Sequence, residues 1–173
     1  GSFSLQQDGN WSYTLDNNTS AVQTLAAGSS KTDSFTAIST DGTANRSVTI
    51  TVKGTNDAPT LTSGTTATLD ENSPVSTVLY TASATDIDIG DTLSYSLGGA
   101  DAALLSIDTT TGAVTLKTSA DFETKPGYSF TVIATDTANG TSEKAVTLDI
   151  TNKDEVAPTI TSGTTAPAID ENS

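Results

Sequence analysis

The sequence predicts an all-β protein in which a Greek-key β-sandwich stands in tandem with a second, partial β-sandwich. Three observations carry this expectation. Apolar and polar residues alternate in short runs, the period of a half-buried strand, and no segment keeps helical periodicity for long. The composition is 34% hydrophobic and 16% charged, and Thr, Ser, Gly and Asn make up much of the rest, residues that suit strands and turns. The segment 58–73, from Ala58-Pro59-Thr60-Leu61 to Asp70-Glu71-Asn72-Ser73, returns with few changes at 157–173, where Ile160 replaces Leu61 and Pro167 is inserted. Recurrence after about a hundred residues marks a tandem array of folding units. One complete unit flanked by parts of others is therefore expected.

Residues 1–57 form the first, partial unit. Apolar positions at Phe3 and Leu5, at Trp11, Tyr13 and Leu15, at Phe35 and Ile38, and at Val48, Ile50 and Val52 predict four strands. Asp8-Gly9-Asn10, Asn17-Asn18, Ala27-Gly28-Ser29 and Asp41-Gly42 are turn formers that separate them, with a turn or short helix expected over 22–25. Four strands make a poor sandwich, so this unit is expected to lack its first strands or to borrow pairing from elsewhere.

Residues 58–156 supply seven strands: 60–62 continuing at 68–70, then 75–84, 92–97, 104–107, 113–116, 129–135 and 144–150. Inward-facing sets at period two are Val78, Tyr80 and Ala82; Leu93, Tyr95 and Leu97; Tyr128, Phe130, Val132 and Ala134; and Val146, Leu148 and Ile150. Thr109-Thr110-Thr111-Gly112 and Asn139-Gly140 provide the backbone freedom of the tight connections. The tail 157–173 reads as the opening strand of a following repeat, expected to be mobile or to pair with another chain.

The charge balance is one-sided, with 21 acidic against 7 basic side chains, no His, and a net charge of −14. Phosphate recognition needs clustered Lys and Arg, so nucleic acid and anionic membrane surfaces are excluded as partners and cations are favoured. With no Cys there are no disulfides, thiolate nucleophiles or Cys-ligated zinc. No apolar run approaches the roughly 18 residues of a membrane-spanning helix, so membrane insertion is not expected. Without His or Cys, an enzyme would have to rely on paired carboxylates, Asp121 with Glu123 or Asp86 with Asp88. Side chains two apart on a strand share one face and do not flank a cleft, so the chain is expected not to be an enzyme.

The acids gather at strand ends. Asn56 and Asp57 precede the first strand of the complete unit, Asp86 and Asp88 follow its second, and Asp136 follows its sixth. In a seven-strand sandwich these three places share one pole. At the opposite pole fall Glu71 at the end of the first strand, Asp121 and Glu123 before the sixth, and Asn152 and Asp154 in the exit linker. Two unit charges about 4 Å apart repel by about 4 kcal/mol at an effective dielectric near 20, so a positive charge is expected between them. Lys53 near the first pole, and Lys125 and Lys153 near the second, bring too little charge to neutralise either cluster. Ca²⁺ takes six to eight oxygen ligands in flexible geometry, which suits an Asp, Glu and Asn inventory better than Mg²⁺, which keeps its waters. Asp91 and Asp149 read as plain turn or surface residues, and one of Trp11 and Tyr13 as core.

These motifs identify the central unit as similar to the cadherin-like repeats of large bacterial RTX-type surface adhesins. The resemblance rests on Asp70-Glu71-Asn72, Ala84-Thr85-Asp86-Ile87-Asp88, Asp121-Phe122-Glu123 in the place of an Asp-Arg-Glu motif, Ala134-Thr135-Asp136, and linkers ending in Ala-Pro. Residues 1–57, with Gly9-Asn10-Trp11-Ser12-Tyr13-Thr14-Leu15-Asp16-Asn17 and Gly54-Thr55-Asn56-Asp57-Ala58-Pro59, resemble the C-terminal half of a VCBS repeat, a module of the same adhesins. The resemblance implies a cadherin or Ig-like sandwich with Ca²⁺ at the junctions. Asn56, Asp57, Asp86, Asp88 and Asp136 would serve the first, and Glu71, Asp121, Glu123, Asn152 and Asp154 the second.

Two departures bear on those sites: the exit linker reads Asn152-Lys153-Asp154-Glu155, so either Asp154 or Glu155 takes the ligand place, and Ser29 stands where the VCBS-like half often carries an acid. The second junction is expected to be half built and to hold fewer or weaker ions than the first. The implied role is a calcium-rigidified extender of a secreted adhesin on the bacterial surface, exported by type I secretion and supporting adhesion and biofilm formation. Its partners would be the neighbouring domains, with glycans or proteins gripped by other domains. The alternative is a carbohydrate- or protein-binding adhesion module in its own right.

Overall fold

The computed structural model of the chain describes residues 1–155 and 159. The expected opening strand at 157–173 lies outside these residues except for Thr159. In the first unit, β1 (Ser2–Leu5) and β2 (Trp11–Thr14) form one antiparallel hairpin, and β3 (Ser30–Ile38) and β4 (Asn45–Lys53) form another. A single helical turn, α1 (Ser20–Gln23), joins them, close to its expected place. The hairpins meet through aromatic rings, Phe3 against Phe35 at 4.3 Å between centroids and Trp11 edge-on to Phe35 at 6.2 Å, while Phe3 also packs on Tyr13 across its own hairpin at 4.8 Å. Four strands can enclose little: none of residues 1–57 is fully buried, and Trp11 stays 47% exposed.

The central unit is a sandwich. Its strands are β5 (Thr60–Leu61), β6 (Thr66–Asp70), β7 (Tyr80–Thr81), β8 (Ala84–Thr85), β9 (Ser94–Gly98), β10 (Leu105–Ile107), β11 (Ala113–Leu116), β12 (Gly127–Thr135) and β13 (Thr141–Thr151). One sheet runs β6-β13-β12-β9, with β6 parallel to β13, and the other runs β10-β11-β7. Between them lie the expected inward sets of the two longest strands: Tyr128, Phe130, Val132 and Ala134 face Val146, Leu148 and Ile150 on one side of the sheet, all buried. Tyr80 crosses the gap to meet Phe130 edge-on, with ring centroids 6.0 Å apart.

The first expected strand has the break expected of it, and the second, expected to be continuous, is broken as well. The first changes sheets at 62–65, pairing as β5 with β8 and then as β6 with β13. Polar groups hold the crossing: the Tyr80 hydroxyl lies 2.7 Å from Ser63 Oγ and donates to the Gly64 carbonyl at 2.6 Å, while Lys144 Nζ donates to the Leu61 and Ser63 carbonyls. The second strand changes sheets at Ala82 and Ser83, and its forward part is not a strand. Thr77 N–H closes a turn on the Pro74 carbonyl, so Val78, expected inward, is 51% exposed, and Leu79 is buried instead. Leu104 belongs to a 3₁₀ turn (Ala102–Leu104) rather than to the strand. These breaks leave the poles of the sandwich where the strand order puts them.

Candidate metal centre

At the first pole three connections converge. The linker passes Asn56 and Asp57, the loop after β8 carries Asp86, Asp88 and Asp91, and the turn after β12 carries Asp136. The side chains of Asn56, Asp86, Asp88 and Asp136 are each held by one hydrogen bond or more within the protein. Asp57 N–H donates to Asp88 Oδ2 at 2.9 Å, and Asp88 N–H to Asp86 Oδ1 at 2.9 Å. Asp136 Oδ1 accepts from the amides of Ala138 and Gly140 at 2.8 Å each, and its Oδ2 accepts from Asn56 Nδ2 at 2.8 Å. The turn after Asp136 needs its glycine, because a Cβ on Gly140 would stand 2.3 Å from Asp136 Oδ2 and 2.5 Å from Asn56 Nδ2.

The opposite set of oxygens is bare. Asn56 Oδ1, Asp86 Oδ2, Asp88 Oδ1 and Asp91 Oδ2 are buried atoms with no hydrogen-bond partner, and Asp88 is only 4% exposed. One carboxylate oxygen from each of Asp86, Asp88 and Asp91 lies within 4.8 Å of the other two. Among the described residues, no ion pair reaches these acids: Lys125 goes to Asp101 at 3.1 Å and Lys153 to Asp70 at 2.9 Å. Buried acceptors that no protein donor satisfies are costly, and a cluster of them is matched by a cation rather than by a neutral ligand. A hard cation that takes carboxylate and amide oxygens fits this donor set.

The electrostatics point the same way. Burial, and then the charges of Asp136, Asp86 and Asp88, raise the Asp91 carboxyl above its ordinary value. Asp136 is lowered, first by the Asn56 amide and then, against the cost of burial, by its backbone donors. Asp91 was expected to be an ordinary turn residue, and its place in the cluster is the main correction to the sequence reading. Gly90, at φ 95°, turns the loop back so that the next side chain re-enters the pole. An acid directly after a glycine, three residues beyond an Asp-x-Asp pair, is the signal that could have found it. Asp57, by contrast, has an exposed side chain and contributes its backbone N–H.

The second pole is built differently. Glu71 is 1% exposed and both its oxygens are used, Oε2 by Phe122 N–H at 2.9 Å and Oε1 by Lys153 N–H at 2.5 Å, contacts that lower its carboxyl below the ordinary value. Glu123 Oε1 accepts from Asn152 Nδ2 at 2.7 Å, and Asn72 Nδ2 donates to Glu155. Asp121 is held below its ordinary value, chiefly by the Thr124 hydroxyl at 2.6 Å. Carboxylate oxygens of Glu71, Glu123 and Glu155 come within 4.8 Å of one another, while Asp121, Asn152 and Asp154 line the same open recess. Glu155 thus joins the cluster that the sequence left open between it and Asp154. This pole is also acidic, with Glu in place of most of the Asp, but its oxygens are mostly supplied with protein donors.

Comparison with known proteins agrees with this architecture. Residues 65–151 match the Cadherin domain family. Over 72 residues the chain is 39% identical to cadherin-related family member 2 of Mus musculus, and over 103 residues 31% identical to the protein dachsous of Drosophila melanogaster. It spans 5% and 3% of the length of those two relatives. Among solved structures it is similar to human protocadherin-24 EC1-2 (TM-score 0.50, 25% identity, 56% of this chain and 44% of that one). The fold alone is shared with protocadherin gamma B2 extracellular cadherin domains 3-6 (TM-score 0.64, 20% identity, 94% of this chain and 42% of that one). With the family matched across the central sandwich, and both poles carrying acids at its strand ends, the chain belongs to the cadherin domain family.

Proposed function

We propose that the chain is a calcium-rigidified spacer, a segment of a long extracellular adhesin whose tandem domains are held in line by Ca²⁺ at their junctions. The single observation that carries this reading is the set of bare oxygens at the first pole, three carboxylate and one amide, which no donor or basic side chain among the described residues matches. Ca²⁺ is the cation that cadherin domains typically bind, and it would supply the missing positive charge. Asn56, Asp86, Asp88, Asp91 and Asp136 would form the first site, beside the linker at Asp57. Glu71, Asp121, Glu123, Asn152 and Asp154, with Glu155, would form the second. The chain's own part is alignment: Asn56 belongs to the linker between the two units, so a site that includes it fixes the linker's direction. An ion that binds only this arrangement favours it by mass action.

The finer reading, a VCBS-like unit followed by a cadherin-like repeat in a bacterial RTX-type adhesin exported by type I secretion and active in biofilms, is supported by the Asp-x-Asp, Asp-Phe-Glu and Asn-Asp-Ala-Pro motifs. The alternative of a carbohydrate- or protein-binding module has one observation in its favour, the exposed Leu5, Trp11 and Ile38 of the first unit. The junction chemistry favours the spacer.

Titration of the chain with Ca²⁺ by calorimetry tests the proposal. Two classes of site are expected, the tighter lost in Asp86→Ala plus Asp88→Ala and the weaker lost in Glu123→Ala. A chain that takes up no Ca²⁺ at millimolar concentration, the weak end of extracellular calcium modules, contradicts it.

A further inference from the structure

We infer that Asn139 is a site of spontaneous covalent modification, deamidation through a cyclic succinimide, and that Asp136 holds the reaction in check by engaging the Gly140 amide that carries out the attack. The reaction needs no bound cation, and it lies at the tip of the β12–β13 hairpin, residues 136–140, of which the calcium reading uses only Asp136.

The turn itself imposes the labile pair. Asn139 has φ 70°, in the left-handed region that Asn enters more readily than most residues with a side chain. Glycine must follow, because a Cβ at position 140 would stand 2.3 Å from Asp136 Oδ2 and 2.5 Å from Asn56 Nδ2. Two separate local demands thus place Asn directly before Gly, and of the nine Asn residues in the chain only Asn139 is so placed. A glycine nitrogen is the best placed to attack the preceding carboxamide, since it carries no side chain to hinder the approach and leaves the backbone free to close the ring. Asn139 is also exposed, so water for the later hydrolysis is at hand.

The step balances without an oxidant or a cofactor. The Gly140 nitrogen gives up its proton to hydroxide and attacks Cγ of Asn139; the N–Cγ bond forms, the Cγ–Nδ2 bond breaks, and Nδ2 leaves as ammonia with a proton taken from solvent. Water then opens the five-membered ring at one carbonyl or the other, leaving an aspartyl or an isoaspartyl linkage at position 139.

In the folded chain the attacking nitrogen is occupied. Gly140 N–H donates to Asp136 Oδ1 at 2.8 Å, Ala138 N–H donates to the same oxygen at 2.8 Å, and the Gly140 carbonyl accepts from Asp136 N–H at 3.0 Å, so the turn is closed on both sides of the reacting atom. An amide anion forming 2.8 Å from a carboxylate is opposed by like charge, and a hydrogen bond to an ionised acceptor is of the stronger kind. The carboxylate that makes glycine obligatory therefore also guards it. The guard does not survive the reaction in the isoaspartyl product: a methylene enters the main chain between the Cα of residue 139 and the Gly140 nitrogen, and the spacing that brings Gly140 N–H to Asp136 Oδ1 is lost.

The test incubates the full chain in EDTA at mildly alkaline pH, folded and in urea, and follows the peptide that contains Asn139 by mass spectrometry. Exchange of NH2 for OH changes the mass, which separates this reaction from isomerisation at Asp8-Gly9 and Asp41-Gly42. In urea Asn139 should react faster than Asn18 or Asn45. Folding should slow it by roughly 10- to 100-fold, the factor expected when a hydrogen bond to a charged acceptor has to break first. Asp136→Ala should raise the folded rate by about 10-fold or more, whereas Ile150→Val, a mild change in the core at the far end of β13, should leave it at the wild-type value. If Asp136→Ala fails to fold, as judged by circular dichroism, the comparison of folded with unfolded wild type decides alone. Equal rates in the folded and unfolded wild type overturn the guard, as does a folded Asp136→Ala that reacts at the wild-type rate or an Ile150→Val that speeds up as much as Asp136→Ala. An Asn139 no faster in urea than Asn18 and Asn45 overturns the modification site itself, and none of these outcomes touches the calcium reading.

Discussion

Chelation of Ca²⁺ by EDTA is expected to lower the melting temperature of the central unit by about 10–20 °C. A ligand present at about 100 times its dissociation constant stabilises the state that binds it by about 2.7 kcal/mol, and for a domain of 60–100 residues each kcal/mol moves the midpoint by roughly 4–8 °C. The larger part of the effect is expected from the first pole. Buried Asp88 and Asp136, with Asp86 and Asp91 beside them, bring several like charges together without an ion pair, so the metal-free fold carries their repulsion and the bare oxygens their desolvation. Asp86→Ala plus Asp88→Ala should melt at a temperature that EDTA no longer changes by more than the contribution of the second pole. Differential scanning calorimetry with and without EDTA reads both numbers. Equal midpoints in wild type with and without Ca²⁺ would mean that the clusters are held by the protein alone.

The second large effect belongs to the core rather than to the poles. Phe130→Ala should destabilise the central unit by about 3–5 kcal/mol, the usual cost of deleting a buried aromatic ring and leaving a cavity. Phe130 is 1% exposed, lies in the middle of β12, and meets Tyr80 edge-on across the sandwich. The loss is large against a typical total of about 5–15 kcal/mol. It should also differ in kind from the pole variants: urea unfolding at saturating Ca²⁺ should show the full loss, because no added ion refills the cavity. A change below about 1 kcal/mol would show that the two sheets do not depend on this contact.

Much of this was legible before the structure, for identifiable reasons. Period-two alternation located β12 and β13, because strands with one face on the core keep that pattern along their whole length: Tyr128 to Ala134 and Val146 to Ile150 are buried throughout. Strand order alone then placed Asn56, Asp86, Asp88 and Asp136 at one pole and Glu71, Asp121, Glu123 and Asn152 at the other, since the poles depend on which strand ends meet. What escaped were local departures from the ladder. Val75 to Leu79 looked like a continuous strand, but the turn closed on Pro74 and the change of sheet at Ala82 and Ser83 depend on tertiary hydrogen bonds that no pattern of polarity records. Asp91 escaped for a related reason: whether an acid beyond Gly90 points to solvent or back into the pole is decided by the sign of one φ angle. Glu155 could not be separated from Asp154, because in an irregular linker adjacent residues carry no face.

The differing satisfaction of the two poles also gives their chemistry an order. Glu71 receives two backbone amides and Glu123 the Asn152 amide, so a cation entering the second pole competes with donors already in place. At the first pole the free oxygens have no such competitor. Under the calcium proposal the stronger site is expected to be the one that includes the linker residue Asn56, the part of the chain whose direction a spacer would control.

Small-angle X-ray scattering of the chain in Ca²⁺ and in EDTA tests that control most directly. The account predicts a single extended arrangement of residues 1–57 against the central unit in Ca²⁺, and in EDTA a broader spread of radius of gyration that Asp86→Ala plus Asp88→Ala reproduces without chelator. Superimposable scattering curves in the two conditions, from protein shown to have taken up Ca²⁺, would contradict it.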